Sequence, residues 1–300
     1  MQPSRAGVHR WWPFVLVVAA GGGRWVVAAA HPEAGSTVGS GAIGCAWAAL
    51  LCFLFFRREL VEETLPPTRS LGRAIRSFLT GAMLSAGPGI ALAMPGREVD
   101  AGNLAVALAL TPVVVAIAAS ALGHERKDDL AGRIWPGLAA AAALLLLLAQ
   151  PALGNVRNDL AFVLAPAFTG IGAALFCMDT NVFAMRAGWA LAGSAAMFTW
   201  DIVGTYVATG SIPPISLLAV GCDGVLALLS IGSLYQLGAT RWSSQFTWVP
   251  LLIVVESLAL IRPHLTAHWI FGVGLLTFAS IYLLMPQSEE RESRISAVPN

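Results

Sequence analysis

Ten apolar runs, each near the length of a bilayer crossing, follow one another along this 300-residue chain. They lie at about 11–30, 38–57, 74–94, 102–122, 134–150, 160–179, 187–209, 215–236, 243–262 and 267–285. A helix needs about 20 mostly apolar residues to cross the hydrocarbon core. In lipid each crossing must satisfy its own backbone hydrogen bonds, so the runs read as helices. Strands of a membrane barrel alternate apolar and polar residues, whereas Ala139 to Leu148 reads AAAAALLLLL. Only 12% of the residues are charged and 57% are hydrophobic, against about 25% charged in a soluble domain. So much apolar surface left in water would aggregate. The expected class is an all-α polytopic membrane protein with ten transmembrane helices, and a soluble enzyme is set aside.

Orientation follows from arginine and lysine in the short loops. With a cytoplasmic N-terminus, fourteen basic residues fall on the inner side, from Arg5 to Arg294, and three (Arg97, Arg157, Arg262) on the outer side. Both termini then lie in the cytoplasm, as an even span count requires. A cleaved leader over the first span is the weaker reading, because nine further spans need none. The polar stretch 287–300 is expected to be a disordered cytoplasmic tail. Aspartate and glutamate (17) nearly balance lysine and arginine (18), so charge offers nucleic acid no attraction. Cys45, Cys52, Cys177 and Cys222 sit inside apolar runs and read as buried thiols.

The fourth and fifth spans and the ninth and tenth share a layout. Pro112 matches Pro250, Gly137 falls near Gly272, and the two stretches end at Pro151 and Pro286. Two halves of five spans, 1–151 and 152–286, must be inverted with respect to each other because five is odd. Inverted repeats are a common build for secondary transporters, with the site between the halves. From about Ala74 to Leu148 the chain resembles the EamA-like domain of the drug/metabolite transporter superfamily. The resemblance rests on Leu110-Thr111-Pro112, on Leu122-Gly123-His124-Glu125-Arg126 and on the glycine-bearing fifth span. The second half keeps Pro250 but has Ile261-Arg262-Pro263 where the glutamate would stand, and His124 interrupts the first copy. The resemblance implies two inverted five-helix repeats and the export or exchange of small metabolites.

A charge inside a span is costly and is a functional hypothesis by default. Arg24, Asp201, Asp223 and Glu256 all fall roughly 9–12 Å below the outer boundary at 1.5 Å rise per residue, so one polar layer is expected there. One arginine facing three carboxylates in a low dielectric leaves at least one acid holding its proton, which suits proton coupling. Excess acid favours an amine, and Arg24 suits a carboxylate; the alternative is that Arg24 and one acid form a structural ion pair. Trp25, Trp200 and Tyr206 are the candidate pocket aromatics. Pro112, Glu125 and Pro250 are the candidate structural or gating residues. Asp179, followed by Thr180 and Asn181, reads as an interfacial helix end. His264 and His268, with His31 and Glu33, fall short of a complete zinc set, so neither metal nor cofactor is expected.

The expected function is a secondary active transporter, an exporter or exchanger of a small polar metabolite such as an amino acid or amine. It would work by alternating access in a bacterial inner membrane, as a monomer or homodimer, with the bilayer and a small molecule as its partners. No Walker motif, HExxH or GxSxG appears. The rival readings are a membrane-embedded enzyme on a lipid-like substrate and a non-transporting membrane subunit.

Overall fold

The computed structural model describes residues 11–30, 37–55, 67–92, 101–122, 130–148, 156–179, 183–212, 215, 217–261 and 266–285. Among them the chain is helical and has no strand. The helices are α1 (Trp12–Ala30), α2 (Thr37–Phe55), α3 (Pro67–Leu92), α4 (Ala101–Ala109), α5 (Thr111–Ala121), α6 (Leu130–Leu148), α7 (Val156–Met178), α8 (Phe183–Thr209), α9 (Leu217–Ser243), α10 (Gln245–Ile261) and α11 (Ala267–Leu284). Each apolar run therefore carries a helix, and the fourth run carries two. The polar tail 287–300 lies outside the described residues.

α4 and α5 form one rod broken by a tight turn. The Leu110 N–H donates to the Ala107 carbonyl at 3.1 Å, and the Val113 N–H to the Leu110 carbonyl at 3.0 Å. Pro112 sits in the first turn of α5, where its missing N–H removes no helix bond. Two other boundaries differ from the apolar runs. α3 starts at Pro67, before the run begins, because proline is preorganised for a first turn and the polar residues after it tolerate helix. α9 continues past the eighth run through Gly238, whose φ of 78° and ψ of 166° break the helix locally. That backbone conformation is open to glycine and strained for other residues. Ser244 then turns the chain into α10, accepting at its carbonyl from the Thr247 N–H at 2.9 Å.

α9 and α11 are long and apolar enough to cross a membrane, and several other helices contain shorter apolar segments. Large apolar side chains point outward all over the bundle: Leu217 is 89% exposed, Val207 79% and Phe55 78%. The interior mixes large apolar side chains such as Phe176, Leu144, Leu191 and Leu234 with many alanines and hydroxyl-bearing residues, among them Ser40, Ser77, Thr80, Thr111, Thr169, Ser194 and Ser233. Small residues let helices approach closely.

The rods pack in mated pairs. α3 lies on α8 as α2 lies on α9, and α3 lies on α7 as α1 lies on α9. The α4–α5 rod lies on α7 as α10 lies on α1, and on α6 as α10 lies on α11. α2 with α8, α6 with α11, and α4 with α10 join rods that are each other's counterparts. Among the described residues, the extensive contacts without a mate involve α9, which also touches α5, α7, α8, α10 and α11.

Glycines recur at one constant spacing, Gly21 and Gly170, Gly23 and Gly172, Gly39 and Gly188, Gly44 and Gly193, and Gly21, Gly44, Gly170, Gly172, Gly188 and Gly193 sit at helix crossings. A methyl on Gly193 would meet the Phe78 carbonyl oxygen at 1.9 Å and the Ala82 nitrogen at 2.9 Å. One on Gly44 would meet the Val220 carbonyl oxygen at 3.0 Å and the Gly224 nitrogen at 2.8 Å. In both cases a glycine faces a carbonyl and the amide one turn later.

Candidate functional site

The four charged residues singled out in the apolar runs stand on helices gathered around α9. α9 carries Asp223 and touches α1 (Arg24), α8 (Asp201) and α10 (Glu256), while α2 fills the space between α8 and α9. Their heights are set by close contacts. Gly21 of α1 faces Val249 of α10; Arg24 and Glu256 lie about 4.5 and 10 Å of helix rise further along their own helices. Gly41 of α2 faces the Phe198 ring, which puts the Asp201 backbone one turn beyond the stretch of α2 that holds Asp223. The side chains of Arg24, Trp25 and Asp201 lie outside the described residues, as does all of Glu125.

Asp223 is 7% exposed, and its Oδ2 accepts a hydrogen bond from Ser40 Oγ at 2.6 Å. The bond lies one turn from the point where α2 and α9 meet backbone to backbone at Gly44 and Gly224, a close approach that leaves the carboxylate little access to water. Trp47 closes the same crossing, its Nε1 donating to the Val220 carbonyl at 3.1 Å. A hydroxyl that donates to a carboxylate makes a short, charge-assisted bond. Glu256 is half-buried, and its Oε2 is buried with no hydrogen-bond partner among the described residues. A buried acceptor in that state is one a ligand or a proton can satisfy.

The proposed aromatics divide. Trp200 and Tyr206 are 71% and 52% exposed, on the outside of α8, because their positions fall on the face turned from α2 and α3. Pro112 is buried at the head of α5, and Pro250 sits inside α10, where it takes away one helix donor. Trp248, two residues earlier, donates from Nε1 to the Ser280 carbonyl at 3.2 Å and ties α10 to α11.

Asp179 stands just past the C-terminal end of α7, where its polar neighbours place it, but its side chain is covered by protein. It is 7% exposed and accepts from Ser77 Oγ at 2.6 Å, because α3 covers the end of α7. Arg186, also 7% exposed, donates from Nη1 to the Phe176 carbonyl at 3.2 Å. Its guanidinium carbon lies 5.2 Å from the Phe176 ring centroid and 5.3 Å from that of Tyr235, a cation–π setting for a desolvated charge. Sequence reasoning missed Ser40 and Ser77 as partners of buried acids, and Arg186 as a buried cation on aromatic rings. A serine in an apolar run carries no periodic signal; the recurring glycines do, and they mark the crossings where these serines sit. His268 is exposed beside Thr266, and His31, Glu33 and His264 lie outside the described residues. Among the described residues no three His, Cys, Asp or Glu side chains gather as a metal set.

No family model matches the chain, and no curated protein is similar to it.

Proposed function

We propose that this chain is a polytopic secondary carrier that moves a small polar metabolite, such as an amino acid or amine, by alternating access. Its working parts are two inverted five-helix halves, 1–151 and 152–286, with substrate bound where α1, α2, α8, α9 and α10 converge. The carrying observation is Asp223: a buried acid of the second half whose described hydrogen bond comes from Ser40 of the first. A structural bundle gains little from an ionisable group there, because an apolar residue of similar size packs at least as well. A carrier needs such a group at the surface between its halves.

Other features support the same reading. The apolar exterior and the many small and hydroxyl-bearing residues inside suit lipid. Mated helix contacts and recurring glycines are what an approximate two-fold between the halves produces. The layout also agrees with the resemblance to EamA-like transporters. The arginine bias supports cytoplasmic termini, which suits a carrier of a bacterial inner membrane. Arg24, Asp201 and Glu256 complete the binding layer, and protonation of one acid couples flux to pH.

The test is a thermal-shift screen of the purified protein against amino acids, polyamines, quaternary amines, nucleosides and sugars at two pH values. A compound that binds only the folded state raises apparent stability with its concentration. The expected result is a shift with an amine or amino acid that Asp223→Asn and Glu256→Gln remove. Shifts that persist in these variants, and in Asp201→Asn, refute the site.

A further inference from the structure

We propose that two serine–aspartate bonds, one toward each end of the bundle, latch the halves together and form the outer and inner gates of the carrier. The proposal rests on the carrier reading above and deepens it. Ser40 and Ser77 belong to the first half, Asp223 and Asp179 to the second. Both bonds are 2.6 Å long, both acids are 7% exposed, and both serines are 1% exposed.

Contacts along α8 set the two bonds apart. Gly41, next to Ser40, faces Phe198. Phe53, at the other end of α2, faces Gly188, so α2 and α8 run antiparallel. Arg186 reaches the Phe176 carbonyl, which also accepts from the Asp179 N–H at 3.3 Å. Phe198 and Arg186 are twelve residues apart, roughly 18 Å along a helix. The arginine bias makes the Arg186 end cytoplasmic, so Ser77–Asp179 is the inner bond and Ser40–Asp223 the outer one.

The ends differ in chemistry. The inner bond stands beside a guanidinium that also rests on Tyr235 of α9, so α7, α8 and α9 are tied there. The outer bond shares its acid with the proposed substrate layer. α9 takes part at both ends, and its contacts are the ones that break the pairing of the halves. The rod common to both gates is thus the least symmetric rod.

Hydrogen–deuterium exchange of the full chain in lipid nanodiscs tests this. A hydrogen bond to a charged group shifts an equilibrium by about tenfold or more when it is lost. Ser40→Ala is expected to speed exchange about tenfold at the starts of α2 and α9 and to slow it at the start of α3 and the junction of α7 and α8. Ser77→Ala is expected to do the reverse. Faster exchange at the near end with no slowing at the far end makes each bond merely structural and overturns the proposal; so does no change at either end. If an alanine variant fails to fold, Asp223→Asn and Asp179→Asn keep an acceptor oxygen and should show the same reciprocal pattern in smaller measure. Flux by reconstituted protein separates the two ideas. Reciprocal exchange without flux of any compound leaves the latches and removes the carrier, whereas flux without reciprocity removes the latches alone.

Discussion

Replacing Gly81 by alanine should be among the most damaging single-methyl changes in this chain. A Cβ at Gly81 of α3 would lie 1.8 Å from the carbonyl oxygen of Ala190 and 2.4 Å from its carbonyl carbon. Real Cβ atoms essentially never come closer than 3.0 Å, so α3 and α8 must part by about 1.2 Å at their crossing. Both colliding partners are backbone, and no rotamer change relieves the clash. A gap of about 1 Å forfeits a quarter to a half of each dispersion contact along the seam. It also stretches the Ser194 Oγ bond to the Gly81 carbonyl, now 3.0 Å. Overpacking costs about 1–3 kcal/mol in general, and this site belongs at the upper end. The assay is thermal unfolding in one detergent, with Gly72→Ala as the control in the same helix. Nothing lies within 4 Å of a Cβ at Gly72, so that change should be neutral or stabilise by about 0.5–1 kcal/mol through helix propensity. Gly81→Ala as stable as wild type would show that the two backbones do not touch there, and the glycine-crossing account would fall.

Three further outcomes follow from single sites. Ser40→Ala should destabilise by about 1.5–3 kcal/mol, because it strips a buried carboxylate of a hydrogen bond; a change below about 0.5 kcal/mol in chemical unfolding contradicts the geometry at Asp223. Glu256→Gln should leave stability within about 0.5 kcal/mol while abolishing ligand-induced thermal shifts, since Oε2 has no hydrogen-bond partner among the described residues to lose. Equal loss of stability and binding would make the residue structural. Gly238→Ala should cost about 1 kcal/mol or more, because its φ of +78° is strained for any residue with a side chain. Gly232→Ala, in open space on the same helix, is its control.

The helices were legible because each apolar run is long enough to outweigh local propensity. Their ends were less so. Nothing apolar marks Pro67 as a helix start, and hydrophobicity does not register the φ that Gly238 adopts. Pro112 and Pro250 suggested that the halves correspond, and the constant spacing of Gly21, Gly23, Gly44 and their later copies is a further signal of that kind, whose meaning emerges only once the crossings are seen. Of the candidate site, Asp223 could be read as a buried charge, but its partner could not. Ser40 lies 183 residues away in sequence, and a lone serine among glycines looks like a packing residue. The cover over Asp179 was not legible, for a local reason. Thr180 and Asn181 make the segment look solvated, while the helix that covers it begins about a hundred residues earlier. Trp200 and Tyr206 were placed near the charges by sequence proximity alone, and a helix turns neighbours onto different faces.

The central claim is that solute passes between the halves at Asp223. Counterflow in sealed proteoliposomes tests it most directly: vesicles carrying purified protein are loaded with an unlabelled amine or amino acid, and uptake of the labelled compound is followed. The account predicts transient accumulation above equilibrium for at least one such compound, lost in Asp223→Asn at matched incorporation. Accumulation that Asp223→Asn leaves intact, or none from intact vesicles with any compound of the panel, would contradict it.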